Sequence, residues 1–328
     1  MYKSILASAL ITLSASNAFA YDWLNEAVNA GVADKAHIHF KQQEFNNIFN
    51  RQAAAHRRNG ATGYNAHTYA AFNASEGIGY DGTGINVLVK DIHNGAGSHG
   101  YNVSHILSVF APGVTIDEEP NIIESAAESH NAIVNESLGF DLVNEFDDGL
   151  AALNRHTWGN WTSQPIAQSE LGTLDPLHRI ATEYGHLGSD ALFITAASNH
   201  FQDCLDLINC NSLVSKHVAF DEAVIAVGAL NNEGTELDNY SNKAGLFQDF
   251  YISAPVAELD GSRGTSCAVP IVTAAAALVM DQFGTNAVQT RDILLDTADD
   301  LGAPGTDAVF GRGRLNVHRA LSPIGALR

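Results

Sequence analysis

The stretch from Ala268 to Phe283 is apolar and rich in small residues, with no polar face to offer to water. A helix of that kind is stable when protein surrounds it. The chain must therefore build a core able to enclose a whole helix. Short unbroken apolar runs supply the rest of such a core: Ile85 to Val89, opened by the turn Asp81-Gly82-Thr83-Gly84, then a run beginning at Ala132 to Val134, then Ala191 to Ala197 and Ala223 to Ala229. Strands without polar alternation are buried on both sides, and with helices between them they imply a parallel sheet covered on both faces. The expected fold class is α/β, a three-layer sandwich with helices on both faces of a parallel sheet. No internal repeat and no low-complexity tract interrupts it.

The 328 residues suit one large domain or two small ones. Residues 1–20 read as a signal peptide: Lys3 is the charged start, Ile5 to Leu13 the apolar middle, and Ala18-Phe19-Ala20 the small-x-small cleavage site. Export after cleavage near Ala20, to the periplasm or the medium, is the expectation. Residues 21–63 differ in composition from the rest of the chain. Trp23, Leu24, Ala27 and Val28 sit at helical spacing, and Phe40, Phe45, Ile48 and Phe49 form a second such set. Two short helices are expected there, with a joint at Arg58-Asn59-Gly60. The segment is a short propeptide, with Arg57-Arg58 as its processing site, or an extension that stays packed on the domain. The main domain is expected over 64–322, with a tail at 323–328.

Acidic side chains outnumber basic ones, 37 to 17, for a net charge of −20. That argues against a nucleic-acid surface. No later stretch holds eighteen uninterrupted apolar residues, so no membrane span is expected. An exported chain can keep a disulfide. Cys204 and Cys210 are close enough in sequence to pair, leaving Cys267 as a thiol; three free thiols is the other reading.

Ser266, in GTSCAVP, lies between a Gly-Thr turn and the buried helix. A helix N-terminus offers free N–H groups and partial positive charge where an oxyanion would form. Pro270 falls in the first turn, where its missing N–H costs little. Taken alone, Ser266 or Thr265 could equally be the N-cap of that helix. A nucleophilic serine needs a base and a group to orient the base. Asp91 ends the strand INVLVKD, and His99 opens the next helix, so a short loop can bring both to the carboxyl edge of the sheet. His93 and His105 compete with His99. Their spacing does not place all three on one helical face, and no HExxH pattern exists. Asn199 ends FITAASN, where a neutral amide can donate to a developing oxyanion.

These segments together resemble the subtilisin-like serine proteases (subtilases). GTSCAVP resembles the family's nucleophile segment, HGYNVSHILSVFAP its histidine segment, and AASN its oxyanion asparagine, in the family's order Asp, His, Asn, Ser. IVNESLGF is similar to the substrate-binding strand, NYSNKAG and ISAPV to the segments before the nucleophile, and FGRGRLNVHRAL to the closing turn and helix. The likeness runs from about Tyr64 to Leu321. It implies an exported serine endopeptidase with Asp91, His99 and Ser266 as triad and Asn199 as oxyanion donor. It also implies a polypeptide substrate held by Ser137, Leu138 and Gly139 and by Ala197 and Ser198. The alternative is a silent member that binds peptides without cutting them. No cofactor is required by the reaction. Relatives often bind calcium, and no loop here has a dependable oxygen-ligand spacing. The chain is expected to act as a monomer, with its own N-terminal segment as a candidate inhibitor.

Four departures from the family stand out. Only seven residues separate Asp91 from His99, fewer than the family's usual loop. Ser198 stands where glycine commonly precedes the asparagine. Cys267 replaces the usual methionine. A long segment with Trp158 and Trp161 follows Gly139, and a flap at the cleft rim is expected there.

Overall fold

A computed structural model describes residues 35–58, 63–91, 93, 95–119, 132–137, 190–199, 223–256 and 263–322. The signal sequence, Leu138 and Gly139, the segment with Trp158 and Trp161, and Cys204 and Cys210 lie outside the described residues.

Among the described residues, six strands form one parallel sheet: β1 (Asn86–Lys90), β2 (Thr115–Glu119), β3 (Ile133–Glu136), β4 (Leu192–Ala196), β5 (Ala223–Ala229) and β6 (Tyr251–Ala254), in the spatial order β2-β1-β3-β4-β5-β6. From β1 the chain first moves outward to β2 and then returns to the other side of β1 as β3. The strand order therefore reverses beside β1, and in open parallel sheets sites form at the carboxyl ends of the strands at such a reversal. The apolar runs expected as strands become β1, β3, β4 and β5. β2 reads TIDEE, with Ile116 its one apolar residue, so its place at the sheet edge could not be seen from hydrophobic pattern.

Both faces of the sheet are covered. Val87, Val89, Ile133, Ile194, Ile225 and Val227 point to one face and are fully buried in the main core. That face carries α3 (His99–Phe110) and α4 (Val269–Phe283), which pack on each other, and α5 (Ala287–Asp296). The alternate residues Leu88, Val134, Phe193 and Val224 form a separate buried cluster on the opposite face. The result is the expected α/β three-layer arrangement.

α4 is the all-apolar helix of the sequence, buried from Val269 to Met280. Together with the 3₁₀ turn before it, the segment Thr265–Phe283 is long and apolar enough, by length and composition, to cross a membrane. The expectation of no such stretch counted uninterrupted apolar residues and so passed over it. Since most of that segment is buried inside the protein, it is a core helix here.

Among the described residues, two helices precede the sheet. α1 (Lys35–Arg58) is one continuous helix where a short one was expected, and α2 (Gly63–Gly77) follows. α1 packs along α2 and brings Phe45, Phe49 and Ala53 into the main core. α6 (Val317–Ala320) closes the junction. Its His318 ring lies 4.2 Å from Phe49 and 5.5 Å from Phe45, and its Nε2 donates to Asn46 Oδ1 at 3.1 Å. His67 of α2 meets Phe49 edge-on at 4.9 Å. Gln42 donates to Ser322 Oγ at 2.8 Å, and Tyr64 donates its hydroxyl to the Leu315 carbonyl at 2.6 Å.

Candidate active site

Asp91 is the first residue past β1 and is fully buried. His99 is the first residue of α3, set there by the N-cap Ser98, whose side chain accepts from the Tyr101 N–H. The short loop between them suffices. His99 Nδ1 donates to the Asp91 carboxylate, at 2.7 Å from one oxygen and 2.8 Å from the other. With its proton on Nδ1, the ring presents a lone pair at Nε2, and the Ser266 hydroxyl donates to it at 3.0 Å. The glycine after His99 is required by packing. A Cβ on Gly100 would lie 2.5 Å from the His93 ring. His93 is thus a wall beneath α3, with Nε2 donating to the Val89 carbonyl at 3.2 Å. His105 stacks on Tyr101 instead. Among the described residues no group of three His, Cys, Asp or Glu is placed to hold a metal ion.

Ser266 sits in the 3₁₀ turn Thr265–Cys267 ahead of α4. The N-cap of α4 is Ala268, without a side-chain cap, so neither Ser266 nor Thr265 is spent on capping. Pro270 lies in the first turn, as expected. Thr265 has another task that the sequence did not disclose. Its backbone N–H and its hydroxyl both donate to Asn199 Oδ1, at 2.8 and 3.0 Å. An amide whose oxygen is occupied in this way must turn its NH₂ outward, so Asn199 keeps Nδ2 as a donor for the site.

Gly264 marks the space between the two groups. Its φ of +142° lies in a region that side chains avoid, and a Cβ built there would stand 3.1 Å from Ser266 Oγ and 3.3 Å from Asn199 Nδ2. Hydroxyl and amide therefore converge on one small volume, which any other residue at 264 would fill. Ser198, next to Asn199, is the one non-glycine residue with positive φ among the described residues, at +86°. For a side chain this left-handed backbone costs about 1–2 kcal/mol.

Ser137 lies just past β3 and Ala197 just past β4, both buried at the same carboxyl edge as Asp91 and Asn199. Two rows of buried polar residues back this edge, one on each face of the sheet. On the face away from α4, Lys90, Glu136 and Thr195 are register neighbours on β1, β3 and β4. Lys90 Nζ is 3.8 Å from Glu136 Oε1, and Thr195 donates to Glu136 Oε2 at 2.8 Å. On the α4 face, Thr273 donates to Asn135 Oδ1 at 2.9 Å and Asn135 Nδ2 donates to Ser137 Oγ at 2.9 Å. Sequence reading missed both rows. Lys90 and Glu136 offered one signal, as charges at the ends of apolar strands. Cys267, beside Ser266, is buried and in no disulfide among the described residues.

Comparison with known proteins bears on this geometry. The model of the subtilase family (Peptidase_S8) matches residues 68–313. The chain is similar to the autotransporter lipoprotein NalP of Neisseria meningitidis serogroup B, 37% identical over an alignment of 225 residues that covers 58% of this chain and 20% of that protein. It is similar to an extracellular serine protease of Serratia marcescens, 43% identical over 60 residues, 18% of this chain and 6% of that protein. The chain thus spans 20% or less of the length of these curated relatives. A lanthipeptide protease of known structure superposes with a TM-score of 0.47 at 18% identity, over 73% of this chain and 88% of that one.

Proposed function

The chain belongs to the subtilase family, and from that premise we propose that it is an exported serine endopeptidase that cuts polypeptides through an acyl-enzyme. Ser266 Oγ attacks the scissile carbonyl carbon while His99 Nε2 takes its proton. The carbonyl oxygen, now an oxyanion, accepts from Asn199 Nδ2 and from the Ser266 backbone N–H. Collapse breaks the C–N bond, and His99 returns the proton to the leaving amine. Water then repeats the sequence on the ester and frees Ser266. Asp91 holds the imidazole with its proton on Nδ1 and stabilises the imidazolium.

One observation carries this reading: the unbroken hydrogen-bond chain from the Asp91 carboxylate through both His99 nitrogens to Ser266. The Thr265 clamp on Asn199 supports the oxyanion role. Extended substrate would lie along the carboxyl ends of β3 and β4, at Ser137 with Leu138 and Gly139 and at Ala197 and Ser198, as an added strand. Export is supported by the leader-like residues 1–20 and by relatives named as an extracellular protease and an autotransporter. α1, the described part of the segment considered as inhibitor, makes its ring and polar contacts with α2, α6 and Ser322. Those contacts favour an element that stays on the domain.

A fluorophosphonate probe tests the proposal. The exported chain should be labelled covalently, and Ser266→Ala should not. Equal labelling of the two forms, or none of the unaltered chain, overturns it.

A further inference from the structure

We infer that the buried row Thr273–Asn135–Ser137 is a positioning device that fixes the nucleophile's helix against the strand end where substrate is held. This rests on the protease reading above. Thr273 lies on α4, two helical turns after Ser266, and is fully buried, as is Asn135 on β3. Ser137, 3% exposed, is the first residue past that strand. Ile133, Asn135 and Ser137 alternate onto the face covered by α4, the face that also bears α3 and His99.

The contact between α4 and the sheet is otherwise apolar: Ile133, Ile194, Val272 and Ala276 are all fully buried in the same core. Apolar contact is non-directional and tolerates sliding. The two hydrogen bonds do not. Both atoms of the Asn135 amide are used, and a shift of α4 along β3 would leave a buried amide without partners, which is costly in so dry a place. The row thus selects one placement of Ser266 relative to Ser137. It also orients Ser137. The serine oxygen accepts from Asn135, so its own proton must point elsewhere at the sheet edge. The Lys90–Glu136–Thr195 row lies on the opposite face of the sheet, away from α4, and links β1, β3 and β4 to one another.

The experiment uses the full chain with Thr273→Val, which keeps the shape and removes the donor, Thr273→Ser, which restores it, and Ser137→Ala, which cuts the far end. Two readouts are compared: kcat and KM on an extended peptide, and the labelling rate with a small fluorophosphonate that does not use the substrate strand. Thr273→Val and Ser137→Ala should lower kcat/KM on the peptide by about 10–100-fold, since displacement of the order of an ångström has effects of that size. Labelling should hold within about twofold, and Thr273→Ser should recover most of the loss. If Thr273→Val fails to fold, Thr273→Ala, which also removes the donor, takes its place against Thr273→Ser. Unchanged peptide turnover in folded variants overturns the inference, as does a loss in which labelling and turnover fall together. Absence of labelling in the unaltered chain would instead sink the protease reading itself.

Discussion

His99 and His318 are both imidazoles with polar partners in the folded protein, and there the likeness stops. His99 is 37% exposed, bonded at both nitrogens, and set between a buried carboxylate and a hydroxyl. His318 is packed among Phe45, Phe49 and His67, with Asn46 as its polar contact. Burial first, and then the neighbouring His67, push its pKa down to about 4. Burial also lowers that of His67, with Asp299 opposing and Arg314 adding to the shift. One imidazole is placed to exchange a proton; the other is placed to refuse one. Surroundings, and not residue type, decide which histidine does chemistry and which is a joint in the fold.

Substitution can break that contrast. His99→Gln should lower kcat by roughly a millionfold, a size taken from a subtilisin and carried over to this relative, with the thermal melt almost unmoved. His318→Gln should leave neutral-pH turnover intact. A large turnover loss in the second variant would dissolve the distinction. At the junction, Phe45→Ala should cost about 3–5 kcal/mol of stability, read by denaturant unfolding, with labelling of Ser266 retained in the folded fraction.

Acid sharpens the contrast further. A histidine whose folded pKa is depressed supports the folded state fully above its unfolded value of 6.5, and that support is lost as pH falls toward about 4. Melting temperature should therefore decline across that window, and His318→Gln should flatten the decline. Asp299, Arg314 and His67 are the other titrating or charged groups that bear on the pair. An unchanged slope in the variant would remove His318 as the cause. The smallest effect belongs to the site side. Ser198→Gly should relieve the left-handed backbone and stabilise by about 1 kcal/mol or less, visible as a small rise in melting temperature.

The site was more legible than its supports. Asp91, His99, Asn199 and Ser266 announced themselves because each closes a strand or opens a helix, where hydrophobic pattern and residue type can be read together. The long-range bonds that orient them could not be read. Thr265 grips Asn199 from 66 positions away in sequence, and Thr273 reaches Asn135 across 138. Thr273 also looked like one more small residue in an apolar helix. β2 was invisible because an edge strand with Asp117, Glu118 and Glu119 need not alternate. α1 was expected as a short helix from its apolar spacing, but nothing local showed that it would dock on α2 and α6. That docking depends on His318, which meets Asn46 across 272 positions of the chain.

α4 has one more consequence, which concerns how the protein is made. On the proposed export route the chain is threaded through a translocation channel before its core exists. Thr265–Phe283 then meets the bilayer with the length and hydropathy of a stop-transfer sequence. Thr265, Ser266 and Thr273 are its polar residues before Asp281. The hydroxyls of Thr265 and Thr273, which hold Asn199 and Asn135 in the folded protein, and that of Ser266, the proposed nucleophile, would dilute this segment on that route, with Thr273 nearest its middle.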